Sequence, residues 1–258
     1  MPTTAHRQDA LDTFVQLWKT RKEVIGMVIC GSYITGSPSK QSDIDVHILL
    51  SKKTTRRERG NIIIDGVLIE YFANPVAQHY IYAEKDYTQR KKHNAHMIVT
   101  GKVLFDKTGE LKQLIKDMKW YMKKKYHPQT PFHIEQAKYH LRDMADNLAE
   151  LYDAKAPDFT FVFHNNLFTL FDTYSGFLQF DALPIHKLRR LLVEKRDKKK
   201  YHVADFPDKA FAALFVEALT TTCKPKKMLT IYEHLTHHVL DKMWGFSIDG
   251  WSLKTPLT

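Results

Sequence analysis

The sequence predicts an α+β protein, in which a small mixed β-sheet with flanking helices is followed by an α-helical bundle. Apolar runs of strand length alternate with helical patterns up to about residue 110, whereas only helical patterns follow Glu110. The chain has 258 residues, of which 43% are hydrophobic and 26% charged, so it can bury a core without disulfide support. We place the domain boundary between residues 110 and 111, which gives domains at 1–110 and 111–258.

The first domain begins with an amphipathic helix over residues 8–22, because apolar residues recur there at helical spacing. A strand follows over Val24–Cys30 and ends at Gly31-Ser32. Glycine, serine and proline interrupt the next ten residues, which therefore form a short turn of helix and a loop that leads to a second strand at Asp43. Residues 51–59 are predicted to form a basic loop.

Two more strands follow as a hairpin, because Asp65-Gly66 between apolar runs favours a two-residue turn. In the second arm, Leu68, Glu70 and Phe72 share one face of the strand. Pro75 opens a helical stretch that is expected to run to about Thr100. After Gly101, Lys102–Asp106 forms the last short strand.

The second domain is predicted to be a helical bundle, with segment 196–202 as an exposed loop between helices. The helix rich in phenylalanine, Pro157–Gln179, is the expected central helix of the bundle. The predicted helices are approximately Glu110–Tyr126, Pro131–Ala154, Pro157–Gln179, Pro184–Lys195, Asp208–Thr221 and Pro225–Met243.

The stretch with the clearest chemistry is VICGSYITGSPSKQSDIDVHILL, residues 28–50. Side chains alternate along a strand, so Asp43 and Asp45 point to the same face. Two carboxylates this close repel each other, and a divalent cation such as Mg²⁺ with oxygen ligands removes the repulsion. Gly31 lets the backbone approach a ligand and Ser32 adds a hydroxyl, which together suit a phosphate. The alternative is an ordinary edge strand with two exposed aspartates.

Gly31-Ser32, a ten-residue spacer and Ser42-Asp43-Ile44-Asp45-Val46 resemble the signature of nucleotidyltransferases of the DNA polymerase beta-like superfamily. This group includes kanamycin, lincosamide and minimal nucleotidyltransferases. The resemblance covers about the first 110 residues. It implies a third acid on a neighbouring strand, and Glu70 supplies one. A lone buried glutamate would be costly, so Glu70 is either this third ligand or the partner of a lysine from the basic loop.

The resemblance implies an enzyme that transfers a nucleoside monophosphate, by likeness AMP from ATP, to a hydroxyl group. Asp43, Asp45 and Glu70 would be catalytic and would hold two Mg²⁺ ions. Contacts to the nucleotide would come from Gly31, Ser32, Ser42 and Lys40, although Lys40 could equally be solvated. The resemblance also implies a general base early in the helical domain, either Asp143 or Asp146. A solvated acidic helix face is the alternative for these two residues.

The sequence leaves the acceptor open. A small hydroxylated molecule such as an aminoglycoside or lincosamide, and hence a role in antibiotic resistance, suits the large helical domain. A protein side chain, as for antitoxin-like adenylyltransferases, and an RNA end are the alternatives within enzymes. The alternative outside enzymes is a nucleotide-binding protein, which would be expected to lack one of the three acids.

Charge and cysteine content bear on the binding partners and on the cellular compartment of the protein. The net charge of +10 is spread over the whole chain, so a nucleic-acid partner is permitted but not required. The two cysteines, Cys30 and Cys223, favour a reducing cytoplasm over a disulfide framework. No apolar stretch reaches the length of a membrane span, and we expect no membrane association. The oligomeric state stays open.

Overall fold

The structure, a computed structural model, describes residues 4–34, 43–221 and 224–255, apart from the side chains of Thr4, Ala5 and Ser32. The chain forms two compact units, Met1–Lys124 and Lys125–Thr258. The first unit carries a five-stranded sheet, and the second is helical. The predicted α+β class is therefore confirmed.

The first unit contains α1 (Thr4–Lys19), β1 (Val24–Cys30), α2 (Gly31–Ile34), β2 (Ile44–Leu50), β3 (Glu58–Ile64), β4 (Val67–Pro75), α3 (Val76–Thr88), α4 (His93–Thr100), β5 (Lys102–Asp106) and α5 (Glu110–Lys123). The strand order is β3-β4-β2-β1-β5. Strands β2 and β4 are parallel, whereas the other neighbouring pairs are antiparallel. The sheet is thus mixed, and its central strand is β2, which lies between β4 and β1.

Each face of the sheet is covered by helices. On one face, α1 packs Phe14 and Trp18 against Ile44, Val46 and Ile69 of the strands. On the other face, α3, α4 and α5 pack over β1 and over Leu49 of β2. The buried residues that these three helices contribute to this hydrophobic cluster are Ala83, Ala95, Ile98, Leu111, Leu114 and Met118. The alternation of side chains along β2 decides which of its residues join which layer.

Helix α1 begins and ends a few residues earlier than the predicted 8–22, and two further segments of the first unit differ from the prediction. The stretch predicted as one helix from Pro75 to about Thr100 is two helices, α3 and α4, because the backbone at Arg90 adopts a positive φ of 53° that ends the first helix. The basic loop ends earlier than predicted, since β3 already begins at Glu58. The predicted Asp65-Gly66 turn is present, with φ of 49° and 75° at its two residues.

The second unit contains α6 (Pro131–Asp153), α7 (Phe159–Phe177), a 3₁₀ turn (Ile185–Lys187), α8 (Leu188–Val193), α9 (Lys195–Tyr201), α10 (Lys209–Thr220) and α11 (Pro225–Lys242). Helix α7 contributes Phe163, Leu167 and Phe171 to one continuous hydrophobic core, as expected for a central helix. Phe161 of the same helix is 75% exposed. Segment 196–202, predicted as a loop, is largely helical because it forms α9.

The division between the units lies after α5, whereas the sequence placed it before this helix, at residues 110 and 111. Helix α5 belongs to the first unit because Leu111, Leu114 and Met118 are fully buried against the sheet. A change from strand to helix patterns thus does not mark where one core ends. Among the described residues, no helix combines the length and apolar character needed to cross a bilayer.

Candidate active site

Three acids meet at one end of the central strands of the first unit. Asp43 directly precedes β2, Asp45 is the second residue of β2, and Glu70 lies on the parallel neighbour β4. The register of these strands places Glu70 directly beside Asp45. One carboxylate oxygen from each acid lies within 4.8 Å of the other two. The structure therefore brings together the three acids that the sequence had singled out.

Mutual electrostatic repulsion acts within this acid triad, which consists of the carboxylates of Asp43, Asp45 and Glu70. The pKa of Asp45 is raised from 3.8 to about 6, first by burial and then by the negative charges of Asp43 and Glu70. All three side chains are half-buried, so water only partly screens them. A cation bound among them would relieve this repulsion.

The donor set fits a hard divalent cation. All three donors are carboxylate oxygens, which are the ligands that Mg²⁺ takes in proteins, usually with water and substrate phosphates completing its shell. It is the one group of three or more such donors among the residues that the structure describes. All three acids keep part of their surface exposed to solvent. The residues present therefore fit the expected metal.

Gly31 is held directly against the triad. Its φ is +74°, a left-handed conformation that favours glycine, and a Cβ at this position would collide with the Oδ2 atom of Asp45. The preceding residue, Cys30, pairs with Asp45 across β1 and β2. Its buried thiol donates to the Met97 carbonyl, and burial together with the Asp45 charge raises the pKa of this thiol. Cys30 is thus a buried structural thiol, and Gly31 has no room for a side chain.

Arg59 of β3 is a neighbour of the triad that the sequence reading missed. Its Nη2 and Nε atoms lie 2.6 and 3.1 Å from the same oxygen of Glu70, Oε1. The sequence offered an ion pair with a lysine of the basic loop as the alternative to a metal-ligand role for Glu70. The structure shows an ion pair with an arginine instead, and it also shows the clustering of the three acids. The missed signal was the strand pattern of β3, which extends into the basic segment and puts Arg59 on the face of Glu70.

Histidines lie behind the triad on the same face of the sheet. His47 follows Asp45 by two residues, is buried, and stacks on Phe72 with ring centroids 5.0 Å apart. Burial, together with His79 and His93, lowers the pKa of His47 to about 3. His79 contacts Asn94 through Nδ1 at 3.0 Å. His47 is therefore a neutral, buried side chain that packs beside the strand of Asp45.

The other predicted residues are not brought together with the triad by any described contact. Ser32 lies in α2, whereas Ser42 and Lys40 lie outside the described residues. Asp143 and Asp146 lie on the exposed face of α6, where Asp143 accepts a hydrogen bond from Asn147. Asp146 forms an ion pair with Arg142, with an Nη2 to Oδ1 distance of 2.8 Å. The assigned roles of these residues stay predictions.

Comparison with known proteins places this geometry in a family context. Residues 9–146 match the model of a family described as nucleotidyltransferase domain. The match covers more than half of the chain and includes the whole acid triad. Among solved structures, a nucleotidyltransferase-like protein from Exiguobacterium sibiricum 255-15 is similar at 11% sequence identity and a TM-score of 0.47, over 91% of this chain and 74% of that chain. No curated protein matches the chain.

Proposed function

The chain belongs to the nucleotidyltransferase domain family, and we propose that it transfers a nucleoside monophosphate from a nucleoside triphosphate to a hydroxyl group in a Mg²⁺-dependent reaction. The observation that carries this proposal is the acid triad, whose three carboxylate oxygens lie within 4.8 Å of one another. In the reaction, the acceptor hydroxyl attacks the α-phosphate and pyrophosphate leaves. ATP is the proposed donor and AMP the transferred group.

We propose that two Mg²⁺ ions bind at the triad, held by Asp43, Asp45 and Glu70. Bound Mg²⁺ would lower the pKa of the acceptor hydroxyl and would neutralise charge on the departing pyrophosphate. The acids serve this purpose because β2 and β4 fix Asp45 and Glu70 side by side before any ligand arrives.

The phosphates are proposed to lie against the Gly31 end of β1. A backbone without a side chain at Gly31 allows close approach, and we assign Ser32, Ser42 and Lys40 as further nucleotide contacts. The general base is proposed to be Asp143 or Asp146. Asp143 accepts a hydrogen bond from the uncharged amide of Asn147, whereas Asp146 forms an ion pair with Arg142.

The proposed acceptor is a small hydroxylated molecule, such as an aminoglycoside- or lincosamide-like antibiotic, which would make the protein a resistance enzyme. A helical unit of more than 120 residues provides surface for such an acceptor. Protein and RNA acceptors are the alternatives that the experiment below separates. We propose that the protein acts in the cytoplasm, in keeping with the buried, free thiol of Cys30.

The test is incubation with ATP labelled at the α-phosphate and Mg²⁺, with separate pools of aminoglycosides, lincosamides, tRNA and proteins. Label is expected in a small-molecule product. Transfer to RNA or protein would overturn the proposed acceptor. Binding of ATP without transfer to any pool would overturn the proposed reaction and favour a nucleotide-binding protein.

Asp45→Asn is expected to lower the transfer rate at least about 100-fold, because the amide removes a charged metal ligand. The matched control is Asp65→Asn, a change of the same kind in the exposed hairpin turn of the same sheet. Circular dichroism checks that both variants are folded. Equal turnover by Asp45→Asn and the wild type would remove Asp45 from the metal site.

A further inference from the structure

The positively charged side chain of Arg59 is hydrogen-bonded to Glu70, one of the three proposed metal ligands. Arg59 reaches from β3 across to β4 and places two N–H groups on a single oxygen, Oε1 of Glu70, at 2.6 and 3.1 Å. The guanidinium carbon lies 4.9 Å from the ring centroid of Phe72, the residue paired with Arg59 in the sheet. The guanidinium thus also contacts the face of an aromatic ring.

The two partners differ in exposure. The Arg59 side chain is 71% exposed, whereas that of Glu70 is 19% exposed. An exposed guanidinium keeps much of its hydration, so it gains little from an ion pair and loses little on leaving it. Glu70 cannot leave, because its strand fixes it beside Asp45. Exchange at this pair would therefore move Arg59 and not Glu70.

The acids need a positive charge whether or not a metal is bound. Three carboxylates with oxygens within 4.8 Å repel one another, and the guanidinium of Arg59 offsets part of this repulsion. It does so by occupying Oε1 of Glu70, one of the two oxygens that this acid can offer to a metal. With Oε1 engaged by the guanidinium, Glu70 has one oxygen, Oε2, left for a metal.

We propose that Arg59 is a displaceable counter-ion of the acid triad, which neutralises Glu70 until a divalent cation takes its place. This inference rests on the proposed function, since it assumes that the triad holds such a cation. In the exchange, the hydrogen bonds between Arg59 and Oε1 are lost and Glu70 coordinates the metal. No covalent bond changes.

In this proposal, Arg59 and a divalent cation compete for Glu70. As long as Arg59 holds Glu70, an incoming cation meets a carboxylate with one oxygen engaged and must approach a positive charge. Arg59 therefore weakens binding of the free cation, while it stabilises the chain before the cation arrives.

The experiment measures Mn²⁺ binding, with Mn²⁺ in place of Mg²⁺, from the loss of the free-ion electron paramagnetic resonance signal in the absence of nucleotide. Arg59→Gln is expected to bind Mn²⁺ up to about fivefold more tightly than the wild type, because the competing ion pair is gone. The matched control is Arg57→Gln. Arg57 also lies at this edge of the sheet, but its side chain donates to the Tyr82 hydroxyl at 2.8 Å, so this variant should bind Mn²⁺ like the wild type.

The outcomes separate this inference from the proposed function. If Asp45→Asn abolishes Mn²⁺ binding but Arg59→Gln matches the wild type, the metal site stands and the role of Arg59 is wrong. Equal tightening by Arg57→Gln would show a general charge effect and would also overturn the role of Arg59. If the wild type and Asp45→Asn bind equally weakly, the metal site itself fails and this inference fails with it.

Thermal unfolding gives a second readout that does not depend on turnover. Without a divalent cation, Arg59→Gln should unfold at a lower temperature than the wild type, because the triad has lost its counter-ion. Added Mg²⁺ should raise the unfolding temperature of Arg59→Gln more than that of the wild type. An equal rise in both proteins would contradict the exchange.

Discussion

At the scale of single residues, the site depends on how closely the backbone approaches a carboxylate. Gly31 adopts φ +74° and lies where a Cβ would strike Oδ2 of Asp45, whereas Gly66 adopts a similar φ of +75° with open space around it. The two glycines therefore share one backbone requirement but differ in their surroundings. This difference separates the cost of the backbone conformation from the cost of the contact.

Gly31→Ala is expected to destabilise the chain by about 2–3 kcal/mol and to weaken Mn²⁺ binding, because the new methyl group displaces Asp45. Gly66→Ala, the matched control, should cost about 1 kcal/mol from backbone strain alone and leave Mn²⁺ binding unchanged. Urea unfolding and Mn²⁺ binding measure both effects. Identical behaviour of the two variants would show that Asp45 does not depend on the close approach of Gly31.

At the scale of helices, Asp208 holds three elements of the second unit together. It caps α10 by accepting from the Phe211 N–H at 3.0 Å, and its other oxygen lies 2.7 Å from both the Tyr174 hydroxyl of α7 and Nε2 of His238 of α11. Burial alone would raise the pKa of Asp208. The hydrogen bonds from Phe211, His238 and Tyr174 outweigh it and lower the pKa from 3.8 to about 2.

Asp208 should therefore make the second unit sensitive to acid. The folded-state pKa lies below the unfolded value of 3.8, so the stabilisation is complete above about pH 4 and is lost as the pH falls to about 2. The loss should amount to about 2 kcal/mol. Acid unfolding followed by circular dichroism should show this contribution in the wild type and not in Asp208→Ala.

At neutral pH, Asp208→Ala should cost about 2–3 kcal/mol, because it removes the helix cap and leaves the Tyr174 hydroxyl without its acceptor. Asp205→Asn is the control, since the Asp205 carboxylate is 72% exposed and pairs with Lys198 at the surface. Equal acid sensitivity of the wild type and Asp208→Ala would contradict the assignment of this contribution to Asp208.

At the scale of the whole molecule, each unit carries its own hydrophobic core. The two clusters around the sheet consist of residues from the first unit, and the bundle core consists of residues from the second. All three acids of the triad lie in the first unit. Metal binding should therefore need that unit alone, whereas transfer to an acceptor is proposed to need both.

A fragment of residues 1–124 should fold and bind Mn²⁺, whereas a fragment of residues 1–110 should not fold. The shorter fragment lacks α5 and with it Leu111, Leu114 and Met118, each fully buried against the sheet. Loss of three such side chains exposes the apolar surface beneath them, at a free-energy cost comparable to the whole stability of an average domain. Circular dichroism measures whether each fragment is folded, and Mn²⁺ titration measures whether it binds the cation. A folded 1–110 fragment would support the boundary that the sequence favoured.

The sequence by itself determined the local features of this protein. Strand alternation put Asp43 and Asp45 on one face, the Asp65-Gly66 pair set the hairpin, and helical periodicity placed most helices of the second unit, because each of these depends on neighbours along the chain. Only the tertiary structure decided that β2 and β4 are parallel neighbours in a register that sets Glu70 beside Asp45. It also decided that Arg59 reaches Glu70 and that α5 packs on the sheet. Such contacts join segments far apart in the chain, and no local pattern records which distant surfaces bury each other.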